Sequence, residues 1–300
     1  MNYEIPQKIV VHGGVFHADD VMCVAMAKAL NPEVKVERNN RPSEQDIADE
    51  GKTGVYVADV GYGKFDHHQP DCAIREDNGE KHAACGLLFD IWKEQLFPNE
   101  KSANFFEQNY IIPIEITDNG GERNPFSQMV SAQTPTWDSK ETMDEAFFRA
   151  VDTVQLVVEK EIENAVSKEK AKNIVQEKIQ EAEKEHQGIV VLDTFVPWQS
   201  EVIPSDNKFV MYPSIRTEGH WNLQVVPASE TTRGAKQDLP AEWRDGEKPE
   251  GLCFVHNGLF ISEFDTKEHA LNAISKELGI EALEKENKID NKDRNDDLEL

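Results

Sequence analysis

Cysteine is scarce in this chain and nowhere paired. Cys23, Cys72, Cys85 and Cys253 are spread over 300 residues with no Cys-x-x-Cys spacing, which excludes a zinc knuckle and a disulfide framework and points to a reducing compartment. No long apolar run is present either. The opening Met-Asn-Tyr-Glu-Ile-Pro-Gln-Lys lacks the basic segment and apolar core of a leader peptide, so the expectation is a cytoplasmic protein with no membrane partner. Positive charge is also in short supply. Lys and Arg number 32 against 57 Asp and Glu, for a formal charge of −25 and a pI near 4.7. Such a polyanion repels long duplex nucleic acid. A short or single-stranded phosphodiester, drawn in by metal ions and a few basic side chains, stays open as a partner.

What is present is enough for a globular fold. An apolar fraction of 38% supplies a core for two packed domains or one large one. The pattern predicts a strand at Lys8 to Val11 and a helix at Ala18 to Leu30, then a strand at Val34 to Glu37. A helix follows at Ser43 to Asp49 with Ser43 as cap, and a buried strand at Gly54 to Val60. Further helices are expected at Ala83 to Glu94 and Ser102 to Tyr110, leading through a strand-like Ile111 to Ile116 into Asp118. Alternation of this kind indicates an α/β fold with a largely parallel sheet.

From Glu141 to His186 the chain is almost free of Gly and Pro, and Phe147, Val151, Val154, Val158, Ile162 and Val166 recur at helical spacing. Thr142 with Glu145 forms a capping box and Gly188 a stop. One long helix or two should therefore connect the domains. Beyond it, strand-like segments at Ile189 to Leu192, Lys208 to Tyr212, Trp221 to Val226 and Leu252 to His256, and a helix at Lys267 to Leu278, suit a smaller α+β domain. The domain expectation is residues 1–140, a connector at 141–187, a second domain at 188–280 and a solvated acidic tail at 281–300.

Chemistry concentrates in two short motifs. In Val60 to Gln69 an acid is followed directly by two imidazoles, Asp66-His67-His68. Neighbouring side chains in an extended segment point opposite ways, so one His can bind metal while the other meets substrate, with Asp66 orienting an imidazole. An isolated His-His pair would read as a polar loop. The second cluster, His12-Gly13-Gly14-Val15-Phe16-His17-Ala18-Asp19, again sits between a strand and a helix. Asp59 and Asp118 are expected at similar strand ends, where open α/β sheets bind ligands. Four of the nine histidines fall in these motifs, which favours a metal site over scatter. Imidazoles and carboxylates without thiolate suit Mn²⁺ or Mg²⁺, and six candidate ligands exceed the needs of one catalytic ion, so two ions are expected.

The ordered set His12-x4-His17-x-Asp19-Asp20, Ala58-Asp59-Val60-Gly61, Asp66-His67-His68 and Asp118-Asn119-Gly120 resembles the melanocyte proliferating gene protein family, a branch of the DHH phosphoesterase superfamily. Ala84-Cys85-Gly86-Leu87-Leu88, Thr134-Pro135-Thr136-Trp137, Val196-Pro197-Trp198, Gln224-Val225-Val226-Pro227, Leu239-Pro240-Ala241-Glu242-Trp243 and Phe254-Val255-His256 extend the likeness to about residue 275. The resemblance implies a DHH-type parallel-sheet domain, a helical connector and a C-terminal α+β substrate-binding domain. It also implies manganese-supported hydrolysis of phosphodiesters, with RNA shortened from the 3′ end. On that analogy His12, His17 and Asp19 form the first metal motif, Asp59 bridges, His67 and Asp118 hold metal, and His68 meets the substrate phosphate. The family's usual Arg before Leu-Pro is Lys236 here, with Arg233 nearby. Either could grip phosphate, and a solvated surface charge is the competing reading of both.

Other residues have plainer readings. Trp137, Trp198 and Trp243 are expected to plug core edges, Cys85 to be a small buried side chain, and Gly120-Gly121 to make a turn. His82, His186, His220 and His269 lack a carboxylate-rich context in sequence and read as surface or packing residues. The rival functions are a small-molecule phosphohydrolase, acting on pyrophosphate, a cyclic dinucleotide or a nucleoside bisphosphate, and a non-catalytic metal-containing binding protein. Oligomeric state is open in the sequence, with a homodimer among the arrangements it allows.

Overall fold

The computed structural model describes residues 3–69, 72, 74–75, 79, 81–186, 188–232 and 234–279. They form a mixed α/β protein in two compact units that divide between Ser167 and Lys168. The acidic tail at 281–300 and Arg233 lie outside the described residues.

The first unit begins with β1 (Lys8–Val11), α1 (Ala18–Leu30), β2 (Lys35–Arg38), α2 (Glu44–Ala48) and β3 (Val55–Val57). The strands make a parallel sheet in the order β2-β1-β3, with Ile9 opposite Val36 and Tyr56. Residues Ala18 to Ala27 of α1 are all buried, so this helix is enclosed, and the acids Asp19 and Asp20 in its first turn must find internal partners. Ser43 caps α2 as expected, accepting from the Asp46 amide. The third strand stops at Val57, three residues short of the expected end, because Asp59 takes a left-handed φ of 59° that no strand continues.

Next come α3 (Ala84–Leu96), α4 (Glu100–Phe106), a wide π-type turn at Glu107–Ile111, α5 (Ile112–Asp118) and α6 (Pro125–Ser131). Asp118 therefore ends a helix, not a strand. The β-branched run Ile-Ile-Pro-Ile-Glu-Ile reads as extended, yet Pro113 sits in a first turn, where no N–H is needed, and Ile111 and Ile114 share a buried face. The short α6 was not legible in the sequence; Asn124 caps it by accepting from Ser127 N.

One helix, α7 (Met143–Glu181), spans 39 residues and continues into a π-type turn at Ala182–His186. The Thr142–Glu145 capping box forms in both directions, at 2.8 and 3.2 Å. Phe147, Val151, Val154 and Val158 enter the first unit's core, whereas Val175 enters a core of the second.

The second unit holds β4 (Ile189–Val191), α8 (Gln199–Val202), β5 (Phe209–Pro213), β6 (Trp221–Val225), α9 (Glu242–Asp245), β7 (Leu252–Val255), β8 (Ile261–Phe264) and α10 (Lys267–Leu278). Its sheet runs β4-β5-β6-β8-β7, parallel at β4–β5 and antiparallel elsewhere. Alternate residues of β5 point to two cores: Phe209 and Met211 toward α10, Val210 and Tyr212 toward Trp198 and the end of α7. Trp198 and Trp243 are buried as expected, but Trp137 is 96% exposed and plugs nothing. Among the described residues no helix is long and apolar enough to cross a membrane.

Candidate metal centre

The site is built at the carboxyl side of β1 and β3, with the loop before α3 and the end of α5 closing it. His12 directly follows β1, and its Nδ1 lies 3.2 Å from the Gly13 carbonyl, so Nε2 faces inward, 3.3 Å from Asp20 Oδ2 and 3.3 Å from Asp59 Oδ2. The glycine loop is held in place by Arg38, whose Nη2 donates to the Gly14 carbonyl at 2.7 Å while its guanidinium lies over the Phe147 ring. His17 starts α1, and its amide donates to Asp20 Oδ1 at 2.7 Å. Asp19 accepts from the Ala84 amide at 3.1 Å and the Cys85 amide at 2.7 Å, the free donors at the start of α3.

The second motif turns sharply. Asp59 and Tyr62 both have positive φ, with Gly61 between them at 87°, a conformation costly for residues bearing Cβ and found at functional turns. A Cβ on Gly61 would also lie 2.6 Å from Pro42. Asp66 ties the turn together, accepting from Tyr62 N at 2.6 Å and from His68 N at 3.0 Å. Its Oδ1 also lies 2.8 Å from His68 Nδ1, which leaves the far nitrogen of a ring whose side chain is 58% exposed directed outward. His67 points the other way, its Nε2 at 3.0 Å from Asp59 Oδ1 and 3.2 Å from Asp118 Oδ2.

The six side chains expected as metal ligands thus come together. His12, His17 and Asp59 form one group whose ligand atoms lie within 4.8 Å of one another, Asp19, His67 and Asp118 form another, and Asp59, His67 and His68 a third. Close approach does not satisfy them. His12 Nε2, Asp20 Oδ2 and Asp59 Oδ1 are buried without a hydrogen-bond partner, because their mutual contacts lack hydrogen-bonding angles. Buried charged atoms of this kind are costly unless a cation or proton joins them. The donor set fits a hard or borderline divalent ion: imidazole nitrogens and carboxylates with no thiolate among them. Cys23 and Cys85 are nearby, but burial drives both thiols well above their usual range.

Protons take up the strain when no cation is bound. The Asp59 carboxylate leads in raising His12 to about 9, against the opposing effect of burial. Burial likewise opposes charge on His67, yet Asp59, Asp19 and Asp118 hold it up to about 9. Burial lifts Asp20 to about 7 and pushes Asp19 and Asp118 upward, the latter two also repelled by Asp59. Asp59 alone moves down: burial opposes this, but His12 and His67 on either side outweigh it.

An open cleft of about 1130 Å³ lies over these groups. Besides the candidate ligands its walls carry Asn119, from the Asp118-Asn119-Gly120 motif, and Lys81, Arg123, Ser127 and Gln128, which the motifs did not single out. Behind the wall, Arg75 is buried against Glu107 at 2.5 Å and against Glu115, and Glu115 Oε1 also holds His82 Nδ1 at 2.9 Å and the Ala83 amide at 3.2 Å. His82 is therefore a packing residue rather than a surface one, and it has the carboxylate partner that its sequence context lacked. His220 and His269 also find carboxylates, Glu263 at 2.8 Å and Asp265 at 2.7 Å, which tertiary and one-turn neighbours supply. A Cβ on Gly86 would fall 1.7 Å from Glu115 Oε1, which explains a glycine in the first turn of α3.

Lys236, expected at phosphate, is in the second unit with its ammonium turned onto the carbonyls of Val202, Ser205 and Asn207. Three acceptors use all three of its donors, and burial lowers its pKa.

The family model MYG1_exonuc, described as "Uncharacterised protein family (UPF0160)", matches residues 8–278. The chain belongs to the MYG1 family. It is 26% identical over 326 residues to MYG1 protein C694.04c of Schizosaccharomyces pombe, covering 90% of this chain and 97% of that one. It is 24% identical to the MYG1 exonuclease of Rattus norvegicus, covering 90% of this chain and 84% of that protein. Among solved structures, the pGpG-specific phosphodiesterase PggH from Vibrio cholerae aligns with 90% of this MYG1 chain and 97% of its own at 12% identity and a TM-score of 0.31.

Proposed function

We propose that this chain is a divalent-metal-dependent phosphoesterase that hydrolyses phosphodiester bonds, acting as a 3′-to-5′ exonuclease on RNA or short oligonucleotides. Membership of a family whose relatives include proteins named exonuclease supports the phosphoesterase class. The observation that carries the metal requirement is the set of three overlapping ligand groups with buried, unpartnered atoms on His12 and Asp59, and on Asp20 beside His12.

His12, His17 and Asp59 would hold one ion, and Asp19, His67 and Asp118 a second, with Asp59 between them. When bound, Mn²⁺ or Mg²⁺ would lower the pKa of water and neutralise charge on the phosphoryl oxygens. The protein's own groups do the rest. Asp66 accepts from His68 Nδ1, so that the ring is oriented with its opposite nitrogen toward the cleft, where the imidazolium form would donate to a phosphate oxygen. The amides of Ala84 and Cys85 keep the Asp19 carboxylate oriented toward the cluster. The N-terminal domain would carry catalysis, with residues 188–280 binding substrate beyond the reacting bond. Four free thiols are consistent with work in the cytoplasm.

A small-molecule substrate is the second reading, favoured by the formal charge of −25, which disfavours long polyanions. Hydrolysis of labelled short RNA, the matching DNA and pyrophosphate by metal-stripped protein, with and without added Mn²⁺ and alongside Asp59→Asn, separates them. Stepwise shortening of RNA that needs metal and is lost in the variant is the expected outcome. Cleavage of pyrophosphate alone moves the function to small molecules, and inactivity on all three favours a binding protein.

A further inference from the structure

The cleft over the ligand cluster has two exposed cations on its wall, Lys81 and Arg123. Among the described residues neither side chain takes an ion-pair partner, although acids outnumber bases by 57 to 32 in the chain. Their backbones, in contrast, are firmly held, and both are held by the same turn. Asn119, which follows the ligand Asp118, donates through Nδ2 to the Lys81 carbonyl at 2.9 Å and to the Glu115 carbonyl at 3.0 Å. Thr117, which precedes Asp118, donates to the Glu122 carbonyl at 2.9 Å and accepts from the Asn124 amide at 3.2 Å, so the chain is pinned on both sides of Arg123. Gly120 at φ 87° and the Gly121 amide, bonded to the Ile116 carbonyl at 2.8 Å, complete the turn. The last turn of α5 therefore presents a metal ligand and fixes the roots of two cationic arms.

We propose that Lys81 and Arg123 form a second phosphate site, which holds the phosphate adjacent to the one being hydrolysed, and that the substrates are short single-stranded oligonucleotides. The inference rests on the phosphodiesterase reading above and adds to it the substrate class and the residues that select it. An ammonium and a guanidinium on fixed roots suit a phosphate, the first as a point charge and the second as a fork. A cleft of about 1130 Å³ exceeds the roughly 300–1,000 Å³ of ordinary small-molecule pockets and leaves room beyond a single nucleotide. Two cations suit one or two phosphates and are too few to offset the charge of a long strand.

The test compares Lys81→Ala, Arg123→Ala and the double variant with Lys93→Ala, which makes the same charge change on α3 away from the cleft. With Mn²⁺ and a labelled short oligoadenylate, the double variant should raise KM by about 10- to 100-fold with little change in kcat, as loss of charge-assisted contacts predicts. The slope of log KM against log salt should fall by about 0.7 for each cation removed. A purely structural role would not move that slope, and Lys93→Ala should leave it as in the parent. Equal KM and equal slope in parent and double variant would overturn the second site while leaving hydrolysis standing. If the parent does not hydrolyse the oligoadenylate, anisotropy of its binding decides: binding lost in the double variant supports the site without the activity, and no binding by the parent overturns both.

Discussion

The two units treat their buried polar groups in opposite ways. In the second, Lys236 spends all three donors on carbonyls, and His220 and His269 each have a carboxylate. Among the described residues its only buried side-chain atom without a hydrogen-bond partner is the Trp198 indole nitrogen. In the first unit the unpartnered atoms are largely ionisable, on His12, Asp20, Arg38, Asp59 and Arg75; His12 and Asp59 line the cleft, and Asp20 lies against His12. Unmet electrostatic demand is costly in a folded chain. Where it persists beside an open cleft it is the demand that the proposed ions would meet, and the saturated unit teaches the converse about Lys236.

The comparison can be broken from the largest expected effect downward. Asp59→Asn removes the negative charge of a side chain shared by two candidate ligand groups, and steady-state assays with Mn²⁺ should show a loss of about 1,000-fold or more in kcat. Retained activity would mean that the crowded carboxylates serve folding alone. Asp66→Asn weakens the hold on His68 without touching the groups beneath, so kcat/KM should fall by about 10- to 100-fold, the usual range for an orienting partner.

In the saturated unit, Lys236→Met leaves three carbonyls without their donor and should cost about 1–3 kcal/mol in urea unfolding, with KM for oligonucleotide as in the parent. A raised KM with unaltered stability would return Lys236 to the phosphate-binding role.

The smallest effect is a pH dependence of the metal-free protein. Asp20 at about 7, and His12 and His67 at about 9, sit above their ordinary values, so the folded state binds more protons than the unfolded chain. Their stabilising contributions are present in full below the unfolded pKa, near 3.8 for Asp20 and 6.5 for the histidines, and are lost as pH rises through the folded values. Thermal unfolding of metal-stripped protein should therefore move to lower temperature between roughly pH 6.5 and 9. Added Mn²⁺ should oppose the trend, since cation binding replaces those protons. A flat profile without metal would show that the cluster's charges are relieved in some other way.

Much of the candidate site was legible because the candidate ligands lie in tight sequence motifs next to recognisable elements. β1, α1 and α10 match their expected bounds residue for residue, since apolar periodicity and end signals agree there. Asp118 was found as a ligand candidate but placed on the wrong element, because an isoleucine-rich run has the composition of a strand and only its burial pattern makes it a helix. The Arg75–Glu115–His82 network left no trace in sequence spacing, as its members come from segments far apart in the chain. One signal was available for it: a glycine in the first turn of α3, which pays in helix stability for the approach of Glu115. Lys81 and Arg123 were missed because an exposed basic residue in an acidic chain carries no local mark of which surface it faces.

The sequence by itself determined the class of fold, the family, and the residue types that could bind a divalent ion, because helices, strands and short motifs are written in local periodicity and spacing. Only the tertiary structure decided which carboxylates are buried without partners, which cations line the cleft, and which lysine is already satisfied. Those properties depend on distances between segments far apart in the chain and on the removal of water from between them, and neither is encoded in any one stretch of residues.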